Sequence, residues 1–146
     1  MQNKQLITLE APSLLKLGGC LIYDALVIIA LSFACALLFV WVAGDATQGI
    51  KRYLLQLFLW ASIGIYFVWC WQKSGQTLAM QTWKLKLVTS RSDQESHLLP
   101  VKLAMARYVL ASISLMLFGI GFLWAIIDRD GLFLHDRLLK TRIIMR

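Results

Sequence analysis

The amino-acid sequence predicts an all-α membrane protein with a small β element at the membrane surface. Hydrophobic residues make up 59% of the chain and charged residues 16%, whereas soluble domains have about 45–50% and about 25%. Three long segments lack any charged side chain, and most basic residues lie beside these segments. With 146 residues, the chain is expected to form one domain, residues 1–146.

The uncharged segments are residues 25–43, 53–71 and 108–127. A helix needs about 20 mostly apolar residues to cross the roughly 30 Å hydrocarbon layer of a bilayer. The first two segments therefore predict transmembrane helices over residues 14–42 and 51–71. The third lies within residues 103–127, which either cross fully or, bent near Gly119 and Gly121, return to the same side as a re-entrant segment or broken hairpin.

The distribution of Lys and Arg favours the re-entrant interpretation. If the third segment crossed, the two sides of the membrane would carry eight and seven basic residues. If it returns, the N-terminus, the central loop and the C-terminal tail share one side with thirteen, against two on the other. Because cytoplasmic loops carry an excess of Lys and Arg, the side with thirteen is expected to face the cytoplasm.

Two short segments predict the β element. Residues 84–89 alternate basic and apolar side chains, which is typical of a half-exposed strand. Residues 141–145 are a second strand candidate, and the re-entrant topology places both segments on one side. We therefore expect them to pair, since an isolated strand leaves its backbone groups unsatisfied. No internal repeat is apparent in the sequence.

Asp24 is the first candidate functional residue because it lies inside the first apolar helix. A carboxylate at the centre of a membrane helix costs about 2.5–3.5 kcal/mol even on insertion scales. Asp24 is therefore expected to face the protein interior or to carry a proton. We expect a structural ion pair or hydrogen bond that orients the helices, with Arg107 at the start of the third segment as the first candidate partner. A proton or cation site at Asp24 is the alternative.

A second polar cluster comprises His135-Asp136-Arg137, preceded by Asp128 as a helix stop. No nucleophile or metal-ligand arrangement accompanies the histidine, so we expect a structural or interfacial role and no enzymatic activity. The three cysteines show no spacing typical of metal binding or redox chemistry. Neither a metal nor a cofactor is expected.

The turn Gly75-Gln76-Thr77 is predicted to cap a short helix, with the lining of a polar cavity as the alternative.

The net charge of +7 does not indicate a nucleic-acid partner. The basic residues flank apolar segments, and no nucleic-acid motif accompanies them. They are better explained by membrane topology and by anionic lipid headgroups.

Three stretches, in order along the chain, resemble the RDD family of bacterial membrane proteins. The first, Lys16 to Asp24, is similar to the family's first helix, which opens with arginine and contains an aspartate. Lys16 stands near the place of that arginine, and a lysine cannot form the forked contact of a guanidinium. The other two stretches are Gly75 to Val88, and Gly121-Phe122-Leu123-Trp124 followed by Asp128, Leu134-His135-Asp136-Arg137-Leu138 and Thr141-Arg142-Ile143-Ile144.

The resemblance implies a multi-pass protein of the bacterial inner membrane, in a family where ion or proton exchange has been proposed for some members. We expect a membrane accessory or assembly component whose partners are the bilayer and either further copies of the chain or another membrane protein. A proton- or cation-coupled transporter is the alternative. In both cases a polar layer is expected at one membrane surface, comprising Asp24, Arg107, Asp128, His135, Asp136 and Arg142.

Overall fold

The computed structural model describes residues 12–89 and 99–145. Two long helices come first, α1 (Leu14–Ala43) and α2 (Ile50–Lys73). Both are long and apolar enough to cross a membrane, with mean hydropathies of 2.8 and 1.6 over their most apolar windows. The two predicted spans are thereby confirmed as helices. The chain reverses between them through Gly44 and Gly49, which both have positive φ angles.

A short helix, α3 (Leu78–Thr82), and a strand, β1 (Leu85–Thr89), follow α2. Gly75 ends the preceding helical region with a φ of 69°. The hydroxyl of Thr77 then accepts a hydrogen bond from the backbone N–H of Met80 (3.2 Å) and caps α3. The helix cap predicted at this turn is therefore present.

The third apolar segment forms two helices, α4 (Val101–Met116) and α5 (Ile120–Ile127), whose axes differ by 93°. The break contains two consecutive residues with positive φ, Phe118 at 58° and Gly119 at 72°. Left-handed backbone ends a helix, so the bend predicted near Gly119 is confirmed. Gly121 lies inside α5, where a Cβ atom would be 2.2 Å from the Ser114 hydroxyl oxygen.

The chain ends with α6 (Leu134–Leu139) and β2 (Thr141–Met145). β1 and β2 pair antiparallel, with Leu87 opposite Ile143 at the centre, as the sequence predicted. The outer edge of β1 is also occupied, since the backbone N–H of Leu87 donates to the carbonyl oxygen of Gly75 (2.8 Å). Two strands alone are marginally stable in water. The hydrogen bond between Leu87 and Gly75 adds a backbone contact on the side of β1 away from β2.

The beginning of α1, the end of α2 and both strands lie at one end of the helix pair. The amine of Lys16, in the first turn of α1, is 3.1 Å from the Met145 sulfur in β2. β1 follows α2 after only 11 residues and pairs with β2 along its whole length. The segment α4–α5 therefore returns the chain to the end where it started, which is the geometry of a re-entrant segment or broken hairpin.

The structure reveals an internal repeat that was not apparent in the sequence. Residues 75–89 and 131–145 each contain, in order, a glycine with positive φ, a short helix, a lysine at φ 54° and a five-residue strand. The two strands have the same burial pattern and pair symmetrically about Leu87 and Ile143. Sequence alone misses the repeat because only three of the fifteen positions are identical: Gly75 and Gly131, Leu78 and Leu134, Lys84 and Lys140.

The hydrophobic core lies beneath the sheet rather than between the long helices. Leu85, Leu87 and Ala104 are completely buried, whereas no residue in the most apolar window of α1 is buried. The fold therefore consists of a packed layer at one end and an apolar helix pair that exposes most of its surface.

The returning third segment predicts which positions share a side of the membrane. Gln81→Cys and Lys140→Cys, made singly with Cys20, Cys35 and Cys70 replaced by serine, should react with an impermeant maleimide from the same side. Thr47→Cys, in the connection between α1 and α2, should react only from the opposite side. Labelling of Lys140→Cys together with Thr47→Cys would show that the third segment crosses fully.

Candidate functional site

A buried ion pair joins α4 to α6. The guanidinium of Arg107 donates from Nε to Asp136 Oδ1 (2.7 Å) and from Nη2 to Asp136 Oδ2 (3.2 Å). Arg107 is 5% exposed and Asp136 is 1% exposed. The hydroxyl of Thr141 donates a further hydrogen bond to Asp136 Oδ1 (2.9 Å). Each carboxylate oxygen therefore has a donor, and β2 is tied to the same pair.

Trp71 covers the other side of the Arg107 guanidinium. The Arg107 Cζ atom is 4.4 Å from the centre of the Trp71 ring, within the range of a favourable cation–π contact. Arg107 thus links the end of α2 to α4, α6 and β2. Burying a charged pair carries a large desolvation penalty, and the paired guanidinium hydrogen bonds, the hydroxyl and the aromatic face are the interactions that offset it here.

The predicted ion pair between Asp24 and Arg107 is wrong, because Arg107 binds Asp136 instead. Asp24 Oδ1 is buried and has no hydrogen-bond partner among the described residues. Its other oxygen accepts a long contact of 3.9 Å from the Cys20 sulfur. The Thr77 hydroxyl interacts with the Asp24 carboxyl group as a hydrogen-bond donor, and the positive charge of Arg107 also acts on it. The site thus contains one satisfied carboxylate and one that is nearly bare.

His135 is held in an apolar environment beside the ion pair. It is 2% exposed, with its ring stacked on Phe133 (centroids 5.5 Å apart) and edge-on to Phe122 (5.1 Å). Its Nδ1 atom has no hydrogen-bond partner in the described part of the chain, and Nε2 is 3.9 Å from Asp136 Oδ1. Burial, reinforced by the positive charge of Arg107, lowers the pKa of His135 to about 4. The imidazole is therefore neutral at pH 7.

Asp128 ends α5, as predicted, and organises the turn that follows. Its carboxylate accepts hydrogen bonds from the backbone N–H of Leu132 (3.1 Å) and from the Arg137 guanidinium. In the sequence His135-Asp136-Arg137, the first two side chains are therefore buried, whereas the Arg137 side chain points outward and binds Asp128.

The remaining predicted site residues are in the layer that surrounds the ion pair between Arg107 and Asp136. Gln76 is buried, and its side-chain amide donates to the carbonyl oxygen of Leu85 (2.5 Å). Gly75 and Thr77 shape the turn on either side. Lys16 is exposed and contacts the Met145 sulfur. It forms no ion pair with Asp24 in the described structure. Arg142 lines a cavity of about 30 Å³, large enough for about one water molecule, together with Asp130 and Asp136.

The RDD family model matches residues 19–140. The chain belongs to the RDD family. No curated protein and no solved structure matches it. The matched range contains Asp24, Arg107, Asp128 and Asp136, whereas Lys16 lies three residues before it. Within the described parts of this RDD chain, no group of three or more His, Cys, Asp or Glu side chains could hold a metal ion.

Sequence reasoning missed the groups that complete the RDD site. Trp71 ends the second apolar segment, where a tryptophan is typical of the membrane interface, but it is 3% exposed and covers Arg107. Thr141 reads only as a strand residue. The one available signal was that Thr141 follows Asp136 by five residues, across the end of a short helix.

The ion pair predicts a specific pattern of stability. Arg107→Met should cost about 3–5 kcal/mol, since it leaves the Asp136 carboxylate buried and unpaired. Arg107→Lys should also destabilise, because an ammonium cannot span both oxygens. The double variant Arg107→Met, Asp136→Leu should recover part of the loss by removing both charges. Melting temperatures in detergent measure all three, and a double variant less stable than either single variant would contradict this account.

The lowered pKa of His135 predicts that stability falls with acidity. An unfolded histidine takes up a proton near pH 6.5, whereas the folded one resists protonation until about pH 4. Protons therefore favour the unfolded state, and stability should fall as the pH decreases across this window, by on the order of 3 kcal/mol. His135→Phe should flatten this dependence while preserving the aromatic packing. Parallel pH profiles of the parent and the variant would argue against a neutral buried histidine.

Proposed function

We propose that this RDD chain is a non-enzymatic accessory or assembly component that crosses the bacterial inner membrane more than once. The observation that carries the proposal is the buried ion pair. Arg107, Asp136, His135 and Thr141 are all buried and directed towards one another. A transport path needs polar groups that water can reach, whereas these groups hold helices together.

The exposed surface of the helix pair supports an assembly role. In α1, large apolar side chains including Ile22, Phe33 and Trp41 project outward, and the window with the highest hydropathy contains no buried residue. Lipid can cover such a surface, and so can helices of another membrane protein or of a second copy. The packed layer then acts as the fixed base from which α1 and α2 present this surface.

We propose that the packed layer faces the cytoplasm. It contains the first turn of α1, both strands and the polar turn after α5. Residues 1–16, 72–107 and 128–146, whose described parts lie in or next to this layer, hold thirteen of the fifteen Lys and Arg residues. The opposite end of the helix pair holds two, Lys51 and Arg52, in the first turn of α2. This asymmetry matches the positive-inside rule.

A proton- or cation-coupled carrier is the second candidate, and Asp24 is the observation that favours it. Its Oδ1 atom is buried and has no hydrogen-bond partner in the described structure. Such a carboxylate inside a membrane helix is costly unless a proton or a cation neutralises it. Ion exchange at Asp24 would require this oxygen to become accessible to water in another conformation.

Substitution of Asp24 separates the two candidates. In an assembly component, Asp24→Asn should express and melt much like the parent, because the amide keeps a polar tip, and Asp24→Ala should be less stable. Both variants should keep co-purifying the same membrane partner or the same oligomer. Proteoliposomes of the parent should show no proton or cation flux above empty vesicles. Flux in the parent that both folded variants abolish would replace the assembly proposal with the carrier.

A further inference from the structure

A polar depression lies at the end of α2, outside the ion-pair site. Ser74, Gln76, Gln81 and Lys84 line it, and its volume is about 580 Å³, within the range of small-molecule sites. Gln76 is buried and fixed to the backbone of Leu85, which gives the depression a rigid floor. Gln81 and Lys84 are exposed at its rim.

The depression lies at the depth expected for lipid headgroups. Trp69, one turn before the end of α2, is 57% exposed, and the Lys73 amine lies 4.7 Å from the centre of its ring. Exposed tryptophan and adjacent lysine mark the boundary between hydrocarbon and water. Ser74 follows directly, so the depression opens at that boundary.

The Lys84 side chain carries a positive charge, unpaired within the described residues, at the rim of the depression. Lys84 follows the end of α3 with a φ of 54°, a left-handed conformation in which glycine or asparagine is usual. A lysine here costs about 1–2 kcal/mol in backbone strain. Its amine has no ion-pair or hydrogen-bond partner in the described structure. The rim of the depression therefore carries a positive charge that no acidic side chain of the described structure neutralises, and Lys140 shares the left-handed backbone.

The internal repeat supplies a comparison within the same molecule. The positions of Ser74 and Lys84 correspond to Asp130 and Lys140, 56 residues later. In the second unit, two carboxylates, Asp128 and Asp130, lie in the turn before α6, and Asp128 binds Arg137. The first unit has Gln72 and Ser74 at those places. Its lysine therefore has a hydroxyl and amides nearby and no acidic side chain at the equivalent positions.

We propose that the depression binds the phosphate group of an anionic phospholipid. The Lys84 ammonium donates charge-assisted hydrogen bonds to the phosphate oxygens, and the exposed Gln81 amide at the same rim donates to the headgroup. The Ser74 hydroxyl already donates to the carbonyl oxygens of Cys70 and Gln76 and only shapes the wall. Lys86, whose side chain runs along Gly75 beside the depression, adds a second positive charge. The ligand class is a glycerol-based lipid with a net negative headgroup, drawn from the surrounding bilayer. This inference stands apart from the choice between assembly component and carrier.

Native mass spectrometry of the full chain in neutral detergent tests the proposal. The protein is titrated with phosphatidylglycerol or with phosphatidylcholine of the same chain length, and the ratio of the two binding constants is measured. Lys84→Gln should lower this ratio about fivefold, as expected for one lysine at an anionic surface. Lys140→Gln, the equivalent change in the second unit, and Lys51→Gln, at the other end of α2, should change it less than twofold.

Lys84→Gly controls for misfolding. It should melt at or above the temperature of the parent, because glycine relieves the left-handed strain, yet it should lose lipid preference like Lys84→Gln. Equal losses for Lys84→Gln and Lys140→Gln would show diffuse electrostatic attraction and overturn the site. Displacement of the bound phosphatidylglycerol by soluble glycerol phosphate at millimolar concentration would overturn the assignment to lipid.

Discussion

The fold depends on the burial of one charged pair at the end of an apolar helix pair. Arg107 and Asp136 come from segments 29 residues apart, and no local interaction would bring those segments together. Once paired, they fix α6 against α4 and place Thr141 at the start of β2. The sheet can then form with Leu87 opposite Ile143. An unpaired member would remain charged beneath an apolar surface, so partly assembled arrangements are strongly disfavoured.

The internal repeat explains how a small layer can be self-sufficient. Each unit buries one face of a five-residue strand, and neither strand has a partner until the other unit is present. The two units differ where the polar chemistry lies. The second contains His135 and Asp136, whereas the equivalent positions of the first are Ala79 and Met80, both buried and apolar. The second unit thus contributes the Asp136 carboxylate to the ion pair, whereas the first unit contributes apolar side chains to the hydrophobic core at the equivalent positions.

Sequence alone predicted the elements well and their long-range partners poorly. The charge-free segments identify α1 and α2, and the glycines near residue 119 identify the bend, because these are local properties of the chain. The distribution of Lys and Arg indicates the return of the third segment. The carboxylate that binds Arg107 is determined by how α6 folds back onto α4 after the 93° bend. The hydrophobic periodicity of the sequence contains no information about that long-range contact. Asp24 was chosen as the partner because it is the carboxylate within the first apolar helix.

Separation of the two carboxylates has a functional consequence. Asp136 neutralises Arg107, so the stability of the packed layer does not require Asp24 to be charged. Asp24 Oδ1 has no hydrogen-bond partner among the described residues, and Oδ2 has a long contact to the Cys20 sulfur on the same helix. A change in its charge or hydrogen bonding could therefore alter α1 without undoing the ion pair that holds α4, α6 and β2. Whether α1 meets a partner helix or a migrating ion, the part of the molecule that can respond is distinct from the part that maintains the fold.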